Sequence, residues 1–205
     1  MHNKDYVLDV NDDGVYEFVC EEGHKNKVTI QNWKYEILFD MGIKAFKDGY
    51  YREAVTNFAA ALERFYEYAI KIFCFSQKIE IDKINLVWKD VNNQSERQLG
   101  AYCFLYLVVL KSNPEIIKNK QVEFRNKVVH KGFIPTKEEA TLYGEEVFNY
   151  IRANLILMQK KLGEHVWEYQ REYFGKIRSE DTSGLGMIPS FAEETFGSCL
   201  VNRRH

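Results

Sequence analysis

Apolar and polar residues first alternate along the chain, then change period. Tyr6, Leu8 and Val10 alternate with Val7 and Asp9, and Asn11-Asp12-Asp13-Gly14 spells a turn. Val15 to Cys20 and Lys27 to Ile30 follow as strands, so residues 5–31 read as a β-hairpin or three-stranded meander. From Asn32 the spacing becomes three and four, the period of a half-buried helix. One helix is predicted from about Asn32 to Lys47. A second begins after Asp48-Gly49 and runs to about Gln77. Its stripe is Val55, Phe58, Leu62, Phe65, Ala69 and Ile72, widened by Ala54, Ala61 and Tyr68, which makes it the central core helix. The small residues Ala59, Ala60 and Ala61 permit close approach by a neighbour.

The pattern then predicts a short helix from Asp82 to Asn92. Ser95-Glu96-Arg97-Gln98 reads as a capping box for a helix reaching about Lys111. That helix is apolar nearly all round, so it is expected to be buried. Pro114 reads as the start of a helix over 114–131, and Gly132 as its C-terminal stop. Thr136 and Glu139 suit a capping box for a helix from Lys137 to Leu162, with Val147, Ile151, Leu155, Met158 and Leu162 as its stripe. Gly163 breaks or weakens the continuation to Ile177. The stretch from Ser179 to His205 is rich in Gly, Ser, Thr and Glu and reads as a loop, with Met187, Ile188, Phe191 and Phe196 able to dock on a partner. The expected fold class is all-α: a small β element over 1–31, a helical bundle over 32–178 and a tail over 179–205.

Composition narrows the class. A chain of 205 residues is one ordinary domain with extensions, or at most two small ones. Its 14 Phe, 13 Tyr and 3 Trp suit packed helices with partly wet edges. A net charge of −2 gives no global reason to expect nucleic-acid binding. Locally the picture differs, because Lys118, Lys120, Arg125, Lys127 and Lys131 stand against the single Glu123. That run is either a solvated helix face or the approach to a phosphate-bearing ligand. Cys20, Cys74, Cys103 and Cys199 form no C-x-x-C and no disulfide framework, which suits a reducing cytoplasm. Cys74 and Cys103 sit in apolar helical runs and read as buried thiols. The N-terminus is no signal peptide, and the longest apolar run, Ala101 to Leu110, is too short to span a membrane. Cys20 and His24 could be half of a zinc site, but a structural zinc needs four ligands and nothing orients Cys199 or His205 toward them. The plainer reading is a turn with a surface histidine, and no metal or other cofactor is expected.

The densest chemistry is Arg125-Asn126-x-x-x-His130. Asn126 and His130 are four apart and share a helix face, whereas Arg125 and His130 lie about 140° apart around the axis. Contact between the last two is not assured within one helix. Arginine can reach around, and a second copy of the helix facing the first in a dimer would bring both residue types together. Each residue has a plain reading: His130 caps a helix end, Arg125 pairs with Glu123 or Glu145, and Asn126 is surface polarity. Each also has a chemical one. Histidine titrates in the neutral range and serves as a general acid or base. A guanidinium holds phosphate and stabilises developing charge. The amide orients the ring or binds a phosphate oxygen.

An Arg-Asn-x-x-x-His run at a helix end, followed by a short Pro-containing loop and a capped helix, resembles the HEPN family (higher eukaryotes and prokaryotes nucleotide-binding). Residues 32–162 fit that family's small helical bundle, while residues 1–31 and 164–205 are not explained by it. The resemblance implies metal-independent endoribonuclease activity. The ribose 2′-OH attacks the adjacent phosphate and leaves a 2′,3′-cyclic phosphate and a 5′-OH, with Arg125, Asn126 and His130 as the catalytic set. Lys118, Lys120, Lys127 and Lys131 would then hold RNA. It also implies a homodimer with a composite site, work in toxin–antitoxin or phage-defence systems, and an antitoxin or other protein partner. One alternative is a non-catalytic HEPN-type module that binds nucleotide or protein. Another is a tetratricopeptide-like adaptor, suggested by the run from Gly42 to Leu62, although no second copy follows around Trp88.

Overall fold

The computed structural model describes residues 9–179. Two compact units separate: residues 33–172, and residues 9–32 with 173–179. In the smaller unit, β1 (Val15–Val19) pairs antiparallel with β2 (Lys25–Thr29), in register from Val15 opposite Thr29 to Val19 opposite Lys25. The turn between them closes when Cys20 N–H donates to the His24 carbonyl at 3.0 Å and Gly23, at φ 82°, donates back to Cys20 at 2.8 Å. Asn11 organises the approach: its Oδ1 accepts from Gly14 N–H at 2.7 Å and its Nδ2 donates to the Val15 carbonyl. Among the described residues the element is a two-stranded hairpin. Val10 lies outside the strands, and Tyr6 and Leu8 lie outside the described residues.

The larger unit is helical: α1 (Lys34–Lys47), α2 (Tyr51–Ser76), α3 (Ile81–Val91), α4 (Ser95–Leu110), α5 (Asn119–Lys131) and most of α6 (Lys137–Ser179). The α2 helix is its axis, with Val55, Phe58, Phe65, Ala69 and Ile72 of the stripe buried and Leu62 half-buried. Aromatic rings fill the space around it. Tyr66 lies 4.8 Å from Tyr102 of α4, and Phe65 meets Tyr150 of α6 edge-on. The Tyr102 hydroxyl donates to Asn154 Oδ1 at 2.9 Å, tying α4 to α6. Phe58 is held between two glycines. A Cβ on Gly42 of α1 would lie 2.6 Å from the ring, and one on Gly144 of α6 would lie 2.7 Å from its other side. The run from Gly42 to Phe58 therefore records close helix packing.

Several boundaries and burials differ from the sequence reading. Thr136 and Glu139 do form a capping box, with Glu139 N–H on Thr136 Oγ1 at 3.2 Å and Thr136 N–H on Glu139 Oε2 at 2.9 Å. Ser95 and Gln98 do not. Gln98 is buried and donates instead to the Asn92 carbonyl at 2.7 Å. The α4 helix is not buried all round, for Phe104 is 73% exposed and Leu107 and Val108 lie on the same open face. An all-apolar helix meets the core with one side only when its neighbours cover one side only. Residues 111–118 are not helical: Lys111 adopts a left-handed turn at φ 55°, and buried Ile117 pins the segment, so α5 starts five residues after Pro114. The α6 helix continues past Gly163, with non-helical angles at Leu162 marking a kink. Cys74 and Cys103 are half-buried, and burial pushes both thiols up. No helix among the described residues is long and apolar enough to cross a membrane.

Asp40 of α1 opposes folding. Its Oδ1 is buried without a hydrogen-bond partner, and burial raises the carboxyl pKa, with Lys47 pulling the other way. A folded-state pKa above the unfolded one means that ionised Asp40 costs stability at high pH. That cost disappears as pH falls through the folded value and below the unfolded one. Asp40→Asn should raise the melting temperature at pH 7. The gain should fade by about pH 3, below the usual Asp value, as thermal unfolding at both pH values would show.

Candidate functional site

The α5 helix is built to present its last turns. Gly132, at φ 68°, closes it: its N–H donates back to the Lys127 carbonyl, and Phe133 N–H donates to the same carbonyl at 3.1 Å. One side packs: Val128 is buried, Phe124 rests 5.7 Å from Tyr143, and Gln121 Nε2 donates to Glu146 Oε2 of α6 at 2.7 Å. His130 and Lys131 are exposed in the last turn, where positive charge meets the negative end of the helix dipole.

Arg125 turns toward α2. Its Nη2 donates to Glu63 Oε1 in a pair that is largely shielded from solvent, and its Nη1 donates to Asn126 Oδ1 at 3.0 Å. Neither Glu123 nor Glu145 is this partner. The guanidinium is gripped at both terminal nitrogens, and three of its five N–H groups remain for a ligand.

Arg125, Asn126 and His130 line one cleft of about 530 Å³ within a single chain. It is also lined by Glu63, by Asn92 to Gln94 of the α3–α4 connection and by Ser95 and Glu96 at the start of α4. The large angle between Arg125 and His130 is bridged because the arginine reaches sideways to α2. A second chain is not needed to bring the two to one cavity. Lys131 also lines the cleft, while Lys118, Lys120 and Lys127 are exposed outside it. Arg125 and Lys131 stand against Glu63 and Glu96 there, so the cleft is near electrical balance when His130 is neutral. Asn92 Oδ1, in the cleft lining, is a buried acceptor without a partner.

Glu63 is the residue that sequence reading missed. Its signal is faint: a charged pair, Glu63-Arg64, interrupting the central core helix. Arg64 instead joins Glu67 at 2.7 Å and Gln98 at 3.3 Å. Cys20 and His24 close the hairpin turn, and His24 Nδ1 lies 3.5 Å from Glu22. Among the described residues no three metal-ligating side chains gather, and Cys199 and His205 lie outside them.

An all-helical unit with an Arg/Asn/His cleft is the class that fold and site define. Comparison with protein-family models, curated proteins and solved structures returned no match.

Proposed function

We propose that this protein is a HEPN-type, metal-independent endoribonuclease. The observation that supports the reading is the single cleft lined by Arg125, Asn126 and His130, with the guanidinium held by Glu63 and Asn126. In this reading a scissile phosphate meets the remaining N–H groups of Arg125. His130 takes the proton from the ribose 2′-OH as that oxygen attacks phosphorus. The P–O5′ bond breaks, and the proton returns to the departing 5′ oxygen. RNA carries its own nucleophile, so DNA is not a substrate. Lys118, Lys120, Lys127 and Lys131 guide the flanking backbone. A homodimer would pair two such clefts, and a neutralising partner would cover one; both rest on the family resemblance.

One observation favours a second reading. The two carboxylates in the cleft offset its two cations, which suits a binding module for a nucleotide or a protein segment better than a strong polyanion trap. The test is labelled RNA with purified protein in EDTA, followed by analysis of the ends. Cyclic phosphate and 5′-OH products are expected. Glu63→Gln should bind RNA more tightly, because one negative charge leaves the cleft, yet turn over more slowly, because Arg125 loses its anchor. Wild-type protein that cuts no RNA, with or without divalent metal, would transfer the site to the binding reading.

A further inference from the structure

The Arg125 cleft continues into a smaller hollow of about 140 Å³ between α2, α4 and α5. The two share five residues, Glu63, Ser95, Glu96, Arg125 and Asn126, and every one is polar. Beyond that rim the wall changes character. It is made mainly by Leu62, Leu99, Ile117 and Val122 with Tyr66 and Tyr143, and Gln121 is the one amide among them. A cavity of roughly 150 Å³ lined by apolar side chains accepts one six-membered ring such as benzene. This hollow therefore fits a single planar ring more closely than a fused pair. A ligand that fills it must be flat and apolar on its faces, and must carry an anionic group a short tether away to reach Arg125. A nucleotide has that construction, with base, sugar and phosphate in sequence. An apolar peptide side chain fits less well, because its own backbone would have to cross the charged rim.

We infer that the hollow is a base subsite for a pyrimidine, the base of the nucleotide whose phosphate Arg125 holds. The inference rests on the reading of the cleft as an RNA site and adds a base preference to it. Contact with the apolar wall and the Tyr66 and Tyr143 rings gives a base its affinity, and the size of the hollow supplies the discrimination against purines.

The experiment titrates the full chain, in EDTA, with the four nucleoside 3′-monophosphates and with ribose 5-phosphate as a control without a base, followed by NMR. Cytidine and uridine monophosphates should bind about tenfold more tightly than ribose phosphate or the purine nucleotides. Val122 is 42% exposed and Ile116 is 50% exposed, so both reach the hollow from its solvent side. Val122→Trp and Ile116→Trp, each checked for native helix content, should abolish the pyrimidine advantage. Purines binding as well as pyrimidines, nucleotides binding no better than ribose phosphate, or no nucleotide binding at all would each overturn the subsite. Mapping cuts along RNA of mixed sequence separates the two readings. Cleavage without base preference removes the subsite and leaves the ribonuclease. A pyrimidine advantage in binding, with no cleavage, does the reverse.

Discussion

His130→Ala should slow RNA cleavage by roughly 10²–10⁴-fold, the usual loss when a general acid or base is removed. At 1.36 kcal/mol per decade this is about 3–5 kcal/mol of transition-state stabilisation. Stability should hardly move, since His130 is exposed in the last turn of α5 and outside the core; such changes fall within about 0.5 kcal/mol. The pair of measurements matters: a rate loss without a shift in melting temperature marks chemistry. Arg125→Ala cannot give so clean an answer, because it also leaves the shielded Glu63 carboxylate without its cation. Undiminished cleavage in His130→Ala would refute the proposed site.

Phe58→Ala should cost about 3–5 kcal/mol, the range for emptying a buried aromatic position. The ring is 2% exposed and fills the space between α1, α2 and α6. The more informative variants are its glycine neighbours. Alanine is the better helix former by about 1 kcal/mol, so propensity alone favours Gly42→Ala and Gly144→Ala. The ring decides otherwise. It meets a glycine on either side and Phe39 at 4.7 Å, so it cannot retreat from a new methyl group. Overpacking of this kind costs about 1–3 kcal/mol. Gly42→Ala also meets the Ala54 carbonyl at 3.3 Å and should be the worse of the two. In a Phe58→Ala background Gly144→Ala should become harmless or favourable, giving a coupling above about 1 kcal/mol in denaturant unfolding. Additive costs would mean that the ring is not wedged.

What the sequence could and could not reveal follows from the range of each interaction. The stripe of α2 and the box at Thr136 and Glu139 are local, set by residues three or four apart, and both were legible. The two strands were legible from their alternation and the turn residues between them, with a hairpin and a three-stranded meander both left open. The start of α5 was not. Pro114 is compatible with a helix start, but residues 111–118 are not helical, and Ile117 is buried there, a tertiary fact. The exposed face of α4 was equally hidden, because apolar character marks what can be buried and not what is. At the candidate site, the motif gave the identities of Arg125, Asn126 and His130. The direction of Arg125 depends on Glu63, 62 residues earlier, and no spacing rule within α5 contains that partner.

The ring of tyrosines and phenylalanines around Tyr102 has an optical consequence. Aromatic chromophores held at fixed angles in a chiral surrounding give circular dichroism in the near ultraviolet, and Tyr66, Tyr102, Tyr106 and Phe73 lie within 4.8 to 6.1 Å of one another along that chain of contacts. Loosened packing erases that band while the far-ultraviolet helix signal persists. The chromophores that fill the centre of the bundle thus report, in one spectrum, whether α2 and α4 are still locked together, and they do so without any label.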